Sequence, residues 1–219
     1  MPEYRTVSRK GRDEVVISKS RFIGEACPCT TEEEALAFLN EAKTRYRDAR
    51  HHCYAYILGA NRGIMRYSDD GEPGGTAGLP IVETMQQRGV TNVCVVVTRY
   101  FGGILLGTGG LTRAYRLGCK AALDASGVVT MIPSVTFLCE VSYPLWDRLN
   151  HALGSLPVRV ERTDFAASVE AVLTARTADA DRVREEIVRL CQGRCEFLDL
   201  EEKEMPWEDP PGEEGADRA

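Results

Sequence analysis

The sequence predicts an α+β protein of two domains, on three observations. The chain has 219 residues, of which 43% are hydrophobic and 27% charged, and this is enough for one or two domains with buried cores. Runs of β-branched residues alternate with segments of helical apolar spacing, so strands and helices are both expected. The order of these elements changes near residue 130, which predicts domains over 1–130 and 135–200 and an acidic tail over 201–219.

The first domain is expected to alternate strands with three helices. Its expected strands are Glu14–Ser18, Phe22–Cys29, Cys53–Leu58, Ile64–Tyr67 and Asn92–Thr98. Thr30 or Thr31 is a good N-cap and acidic residues follow it, so a helix is predicted over 32–46. A second helix should end near Gln87, and a third, from about Leu111, has a face of small residues that can lie close to a sheet.

The second domain is expected to follow a linker at Ile132–Ser134 and to have the order β-α-β-β-α-β, which is the ferredoxin-like pattern. The predicted elements are strand Val135–Val141, helix Leu145–Leu153, strands Val158–Asp164 and Ser168–Ala175, helix Asp179–Leu190 and strand Glu196–Leu200. The tail after residue 200 is acidic and rich in proline, so we expect it to be disordered.

Charge is distributed unevenly along the chain. The net charge of −6 divides into +3 for residues 1–130 (17 Lys and Arg against 14 Asp and Glu), −3 for 131–200 and −6 for 201–219. Nucleic acid is therefore not excluded as a partner of the first domain, although +3 supports it only weakly. No apolar run reaches the ~20 residues of a membrane span, and the first residues do not resemble a signal peptide, so a cytoplasmic location is expected.

The eight cysteines do not form a recognised zinc pattern. Cys27 and Cys29 form a CPC pair, and Cys191 and Cys195 are separated by three residues in the other domain. Paired CxxC or His motifs with zinc spacing are missing from the sequence. We therefore interpret the cysteines as structural residues and expect no cofactor.

The glycine-rich segment Arg99–Tyr115 joins the predicted buried strand to the third helix. The N-terminus of a helix favours an anion, which Arg99 and Arg113 would also attract. The segment matches neither GxGxxG nor the P-loop, so its spacing does not identify a nucleotide site. Anion binding and tight packing of helix on sheet remain equally open interpretations.

A second glycine-rich segment, Tyr67–Ile81, carries three carboxylates within four residues, those of Asp69, Asp70 and Glu72. They are weak candidates for holding a divalent cation, and hydrogen bonding to a polar partner or a solvated turn are the alternatives. His51 is a candidate general base or a surface residue, and the basic and aromatic residues near it suggest a surface for single-stranded RNA.

Two groups of candidate site residues result. Those for nucleic acid or another anion are Lys19, Arg21, Arg50, His51, Arg99, Tyr100, Phe101, Gly102, Gly103, Gly107, Thr108, Gly109, Gly110 and Arg113. Those of the polar loop are Ser68, Asp69, Asp70, Glu72, Gly74, Gly75 and Thr76.

Four strings in the first domain resemble the YigZ/IMPACT family: KSRFIG (19–24), RHHCYAY (50–56), YSDDGEPGGTAGLPI (67–81) and VVVTRYFGGILLGTGGLTRAY (95–115). The resemblance implies a first domain with the fold of ribosomal protein S5 domain 2 and a second domain similar to the last domain of elongation factor G. Eukaryotic members of the family act in translational control, by interfering with the activation of an initiation-factor kinase through its activator protein.

The resemblance favours a translation-associated regulatory protein that binds RNA, the ribosome or a translation-control protein through its first domain. The alternative is an enzyme that acts on a phosphorylated or nucleotide substrate, with a metal held by the acidic loop.

Overall fold

The computed structural model describes residues 2–207 of the chain. It divides into two compact units, which are Glu3–Met131 and Ile132–Met205. The strands of the first unit are β1 (Tyr4–Val7), β2 (Gly11–Ile17), β3 (Ser20–Pro28), β4 (His51–Leu58), β5 (Ile64–Ser68) and β6 (Val93–Tyr100). Its helices are α1 (Glu32–Arg45), α2 (Gly78–Gln87) and α3 (Gly107–Ser126).

An antiparallel sheet with the strand order β2-β3-β6-β4-β5 is the centre of the first unit. Its central strand β6 is buried along almost its whole length, because helices cover both faces. The residues of α2 and α3 share a core with Phe22, Val95 and Val97 on one face. The residues of α1 pack with Cys94 and Val96 on the other face. The sheet therefore has an α1 side and an α2/α3 side.

Helix α3 lies close to β3 because small residues meet at their contact. A Cβ atom added at Gly24 would be 2.1 Å from the carbonyl oxygen of Gly118, so neither strand nor helix has room for a side chain there. The face of small residues predicted for this helix is therefore used for close packing on the sheet.

The second unit follows the order β7 (Val128–Val141, which enters this unit at Ile132), α4 (Tyr143–Leu153), β8 (Val158–Phe165), β9 (Val169–Arg176), α5 (Ala180–Leu190) and β10 (Cys195–Trp207, which belongs to this unit as far as Met205). Its strands lie in the order β10-β7-β9-β8. Trp146 and Leu149 of α4 and Val183 and Ile187 of α5 pack in one core with the apolar side of these strands, which includes Phe137. The unit is therefore a sheet with two helices on one face.

Two expectations about the ends of the second unit need correction. The predicted linker Ile132–Ser134 lies inside β7, where Ile132 and Ser134 are both buried and the carbonyl of Pro133 accepts a hydrogen bond from Thr177. The predicted tail begins too early, because β10 continues to the buried residue Trp207. The rest of that tail, 208–219, lies outside the described residues.

The short strand β1 was not expected from the sequence. Its residues Tyr4–Val7 pair antiparallel with Val128–Met131, at the start of β7. Only four residues long, it gives too short a pattern for its period to be recognised. Of the helices between residues 2 and 207, none combines the length and apolarity required to cross a bilayer.

Candidate functional site

Both glycine-rich segments begin at the same end of the first unit's sheet. There β3 and β4 start and β6 ends, as the pairs Arg21–Tyr100 and His51–Arg99 show. The loop from Asp69 to Ala77 leaves the edge strand β5 at this end as well, since Ser68 pairs with Tyr54. We call this region the strand-end site, and define it as residues 18–21, 46–52, 68–77 and 98–110.

Asp69 holds the acidic loop to the start of α2. Its Oδ1 accepts hydrogen bonds from the N–H groups of Ala77 (3.0 Å) and Gly78 (2.8 Å), and its Oδ2 accepts one from Gly75 (2.8 Å). Helix α2 has no side-chain cap from its own N-cap residue, Ala77. The carboxylate of Asp69 therefore satisfies amide groups that the helix start leaves open.

Asp70 ties the same loop to the start of β4. Its Oδ2 accepts a 2.6 Å hydrogen bond from the backbone N–H of His52, and its carbonyl lies 2.8 Å from Nδ1 of His51. The backbone of Asp70 adopts a positive φ of 42°, which Asp tolerates better than most residues. The nearest lysine, Lys43, approaches the carboxylate only to 4.0 Å.

Glu72 connects the two glycine-rich segments in the interior. Its Oε1 accepts hydrogen bonds from Arg99 at the end of β6 and from the hydroxyl of Tyr115 in α3, both of 2.7 Å. The side chains of Glu72 and Arg99 are only 3% and 9% exposed. Burial, together with Cys53 and Glu72, raises the pKa of Tyr115 far above its ordinary value, so its hydroxyl remains a donor.

These contacts give the three carboxylates of the loop partners other than a metal. Asp69 binds backbone amides at the start of α2, and Asp70 binds the amide of His52. Glu72 binds Arg99 and Tyr115. In residues 2–207 no group of three or more His, Cys, Asp and Glu residues is arranged to hold a metal ion. The carboxylates are held apart because each one binds different groups of the fold.

The other residues of the polar loop are divided between internal contacts and solvent. The Ser68 hydroxyl accepts a hydrogen bond from the N–H of Asp70, and the Thr76 hydroxyl donates one to the carbonyl of Pro73. Gly74 and Gly75 are exposed, and a Cβ atom at either would meet no atom within 4 Å. The tip of the loop therefore has free space around it.

The segment from Phe101 to Gly110 contains two packed glycines, Gly102 and Gly110, and three open ones. A Cβ atom at Gly102 would be 2.0 Å from the backbone of Lys19, so Gly102 rests on the β2–β3 turn. At Gly103, Gly107 and Gly109 such an atom would meet nothing within 4 Å. Packing against the protein explains Gly102, and a positive φ accounts for glycine at Gly103 (84°) and Gly107 (68°). Neither reason applies to Gly109, which has open space around it.

Helix α3 begins in this open segment without a side-chain cap. Its N-cap is Leu106, and Thr108 and Gly109 in its first turn are exposed, while Gly110 packs against Leu106. Free amide groups at a helix start form a natural site for an anion. Arg113, one turn further on, is exposed.

Arg99 lies between two aromatic rings near this segment. The centre of its guanidinium is 5.5 Å from the ring centre of Phe22 and 5.6 Å from that of Phe101, which is 56% exposed. Its Nε is buried and has no hydrogen-bond partner. The Nε–H of Arg99 therefore has no acceptor, whereas Nη1 of the same guanidinium binds Glu72.

The sheet separates the predicted binding residues into two sets. Arg99 and His51 lie on the α2/α3 side, because their partner Phe22 belongs to that core. Arg21 and Tyr100, one residue further along their strands, face the α1 side. Residues adjacent in sequence therefore do not form one continuous surface.

The set on the α1 side is largely exposed. Lys19 is in the β2–β3 turn with a φ of 65°, Arg21 binds Glu14 at 2.7 Å, and Arg50 is exposed before β4. The hydroxyl of Tyr100 donates a 2.7 Å hydrogen bond to Asp48. Burial and then this carboxylate raise the pKa of Tyr100 to about 12.

Two arginines of this surface, Arg45 and Arg47, belong to the basic stretch before His51 that suggested an RNA surface, whereas Arg12 is not among the residues expected from the sequence. Arg12 pairs across the sheet with Glu25, whose carboxylate binds Arg45, and Arg47 follows α1 in the turn that leads to β4. The only sequence signal was the basic end of the predicted helix. Strand register, which brings Arg12 beside that end, is not visible in a single sequence.

The chain is similar to proteins of one family over most of its length. A family model described as the Impact N-terminal domain matches residues 18–123, and one described as a domain of unknown function (DUF1949) matches residues 139–194. The IMPACT family member YvyE of Bacillus subtilis is 34% identical over 204 residues, which are 93% of both chains. The IMPACT family member YigZ of Escherichia coli is 34% identical over 188 residues, covering 85% of this chain and 92% of the relative.

A solved structure is also similar over almost the full length. It is a crystal structure described as that of a hypothetical protein, with 31% identity and a TM-score of 0.58, covering 92% of this chain and 98% of its own. The similarity to these proteins thus extends over both units.

Proposed function

The chain belongs to the IMPACT family, and from that premise we propose that it is a translation-associated regulatory protein whose first unit binds RNA. In this proposal the first unit has the fold of ribosomal protein S5 domain 2. The second is ferredoxin-like, similar to the last domain of elongation factor G. The strand order β10-β7-β9-β8, with two helices on one face, supports the second assignment.

The observation that carries the proposal is the uncapped start of α3 in an open, glycine-rich segment. Gly103, Gly107 and Gly109 leave space at a point where backbone amides are free. A phosphate group fits both the partial positive charge of the helix start and the absence of side chains. The exposed ring of Phe101 beside it offers a surface on which a base stacks.

A charge placed in this segment tests the proposal. Gly109→Asp puts a carboxylate in the first turn of α3, where it favours the helix but repels a phosphate. We expect the affinity for a fluorescently labelled, unstructured 15-nucleotide RNA, measured by anisotropy at low salt, to fall at least about fivefold. The matched control Asn150→Asp adds the same charge to an exposed position in α4 and should leave the affinity unchanged.

Two results would contradict the RNA form of the proposal. One is the absence of any RNA binding at low salt, and the other is equal affinity of Gly109→Asp and wild type. Affinity that does not change between low and high salt also counts against it, because phosphate contacts release counterions. Crosslinking in cell extract with and without ribonuclease then shows whether a protein partner is bound in place of RNA.

One observation favours the alternative, an enzyme for a phosphorylated or nucleotide substrate. The unused Nε of Arg99, held between Phe22 and Phe101, suits recognition of a single phosphate group. Release of phosphate from a nucleotide mixture, reduced in Arg99→Lys, would support this alternative. Binding of RNA without any turnover leaves the regulatory function as the only candidate.

A further inference from the structure

A strip of arginines crosses the α1 side of the first unit, beyond the end of α1. We call it the arginine strip and define it by its five members. These are Arg12, Arg21, Arg45, Arg47 and Arg50. Strands β2 and β3 contribute the first two, and the end of α1 and the turn after it contribute the others. All five side chains are exposed.

Aromatic rings hold three of these guanidinium groups in place. Arg12 and Arg45 lie 5.6 Å and 6.0 Å from the ring centre of Tyr46, and Arg21 lies 5.4 Å from that of Tyr100. Tyr46 itself is only 8% exposed. A planar guanidinium supported by a ring on one side presents its other side to solvent, so little side-chain entropy remains to be lost on binding.

The arginine strip has more cations than carboxylates that bind them. With Lys19 it contains six cations, and three carboxylates, those of Glu14, Glu25 and Asp48, have contacts within it. Glu14 binds Arg21, the buried Glu25 binds Arg45, and Asp48 binds the hydroxyl of Tyr100. Within residues 2–207, no carboxylate lies at ion-pair distance from Arg12, Arg47 or Arg50.

The surface between these cations is partly apolar. Val16, which pairs with Arg21 at the edge of the sheet, is 63% exposed, and Tyr100, which pairs with Arg21 from the other side, is half-buried. Cations interspersed with flat or apolar surface suit a ligand that carries phosphates and unpaired bases together. A duplex would present phosphates alone, and an acidic protein would not need stacking surfaces.

We infer that the arginine strip binds single-stranded RNA, with phosphates on Arg12, Arg47 and Arg50 and bases stacked on the guanidinium groups supported by Tyr46 and Tyr100. The inference rests on the proposed function, since it assumes that the first unit binds RNA. It adds a second contact surface, on the side of the sheet opposite to Arg99, and it names the form of RNA.

The test compares two triple variants of the full chain. Arg12→Gln, Arg47→Gln and Arg50→Gln together remove three charges that no ion pair of the described structure uses. Binding of the labelled 15-nucleotide RNA is measured by anisotropy between 50 and 300 mM salt. We expect at least about tenfold weaker binding at low salt, and a plot of log affinity against log salt that is shallower by about 2, because each lost phosphate contact on a single strand contributes about 0.7.

The control removes the same charge elsewhere. Arg148→Gln, Arg182→Gln and Arg194→Gln are exposed positions of the second unit and should change neither affinity nor salt slope. The corresponding triple substitution by lysine keeps the charge but loses the planar groups, and we expect it to restore the salt slope with only part of the affinity. Thermal melting of each variant verifies that it is folded.

The possible failures are distinguishable. If the strip variant binds like wild type while Gly109→Asp binds weakly, the inference is wrong and the proposed function stands. If both triple variants weaken binding equally, overall charge explains the effect and the strip has no special role. Preference for duplex RNA, or binding of an acidic peptide in competition with RNA at equal affinity, also overturns it. If wild type binds no RNA, the RNA form of the proposed function fails together with this inference.

Discussion

The three carboxylates of the acidic loop are close in sequence but bind different parts of the fold. Asp69 accepts hydrogen bonds from three backbone amides around the start of α2, whereas Glu72 forms a buried pair with Arg99. Charge-assisted hydrogen bonds of this kind are about twice as strong as neutral ones. The loop therefore owes its shape to carboxylates that bind other parts of the fold.

Removal of the Asp69 carboxylate should destabilise the first unit. Asp69→Ala leaves the amides of Gly75, Ala77 and Gly78 without their acceptor, and a lost hydrogen bond to a charged group costs about 1.5–3 kcal/mol. We expect a loss of about 2–3 kcal/mol in urea unfolding, and a smaller loss for Asp69→Asn, which keeps one oxygen. Glu83→Gln, which disrupts an exposed ion pair with Arg116, is the control and should change stability by less than about 0.5 kcal/mol. Equal stability of Asp69→Ala and this control would contradict the role given to Asp69.

His52 should make the first unit sensitive to acid. Burial lowers its pKa below the ordinary value of 6.5, and the hydrogen bond to the carbonyl of Tyr46 opposes this only in part. Below pH 6.5 His52 binds a proton more readily in the unfolded chain than in the folded one. The free energy of unfolding therefore falls as the pH decreases. The limit for one such group is about 1.4 kcal/mol per pH unit.

The measurement is the free energy of unfolding between pH 7.5 and 5. His52→Gln should reduce its pH dependence, whatever its effect on stability at pH 7.5. His151→Gln, at an exposed position of the second unit, should leave the dependence as it is in wild type. The prediction is wrong if the curves of wild type and His52→Gln are parallel.

At the scale of elements, glycines have two different uses around α3. Gly24 and Gly118 let the middle of the helix lie on β3, as the 2.1 Å separation of an added Cβ atom from the Gly118 oxygen shows. Gly107 and Gly109 at its start have open space around them. The same residue type therefore determines the distance between helix and sheet at one point and access from solvent at another.

Substitution by alanine should separate these uses. Gly24→Ala forces β3 and α3 apart, and overpacking of this kind costs about 1–3 kcal/mol, so we expect a loss near the upper limit in chemical unfolding. Gly109→Ala adds a better helix former in open space and should increase stability by up to about 1 kcal/mol. A loss of stability in Gly109→Ala comparable to that in Gly24→Ala would show that the α3 start is packed, and would remove the main support for an open site.

How far the sequence predicts this structure depends on the range of the interactions involved. The period of apolar residues and the Thr31 cap are local, so α1 was expected over 32–46 and lies at Glu32–Arg45. The sequence predicts a linker at Ile132–Ser134 because a proline is typical of one. The structure has a continuous strand there, which becomes visible only through its pairing with other strands. The two sides of the sheet were missed for the same reason. Arg99 and Tyr100 are neighbours in sequence, and strand alternation sends them to opposite faces.

At the scale of the whole molecule, the net charge of −6 opposes the approach of RNA to a first unit with an excess of cations. Residues 208–219 contribute −4 of that total, with five carboxylates and one arginine. If the proposed function is right, a chain that ends at Trp207 should associate with labelled RNA several times faster in stopped-flow at 20 mM salt. The difference should nearly disappear at 300 mM, since the Debye length falls well below 10 Å there. A control chain in which the five carboxylates are replaced by amides should behave like the shortened one, because charge and not length is the cause. A rate increase that persists at high salt, or that appears only in the shortened chain, would show that the segment acts by obstruction rather than by its charge.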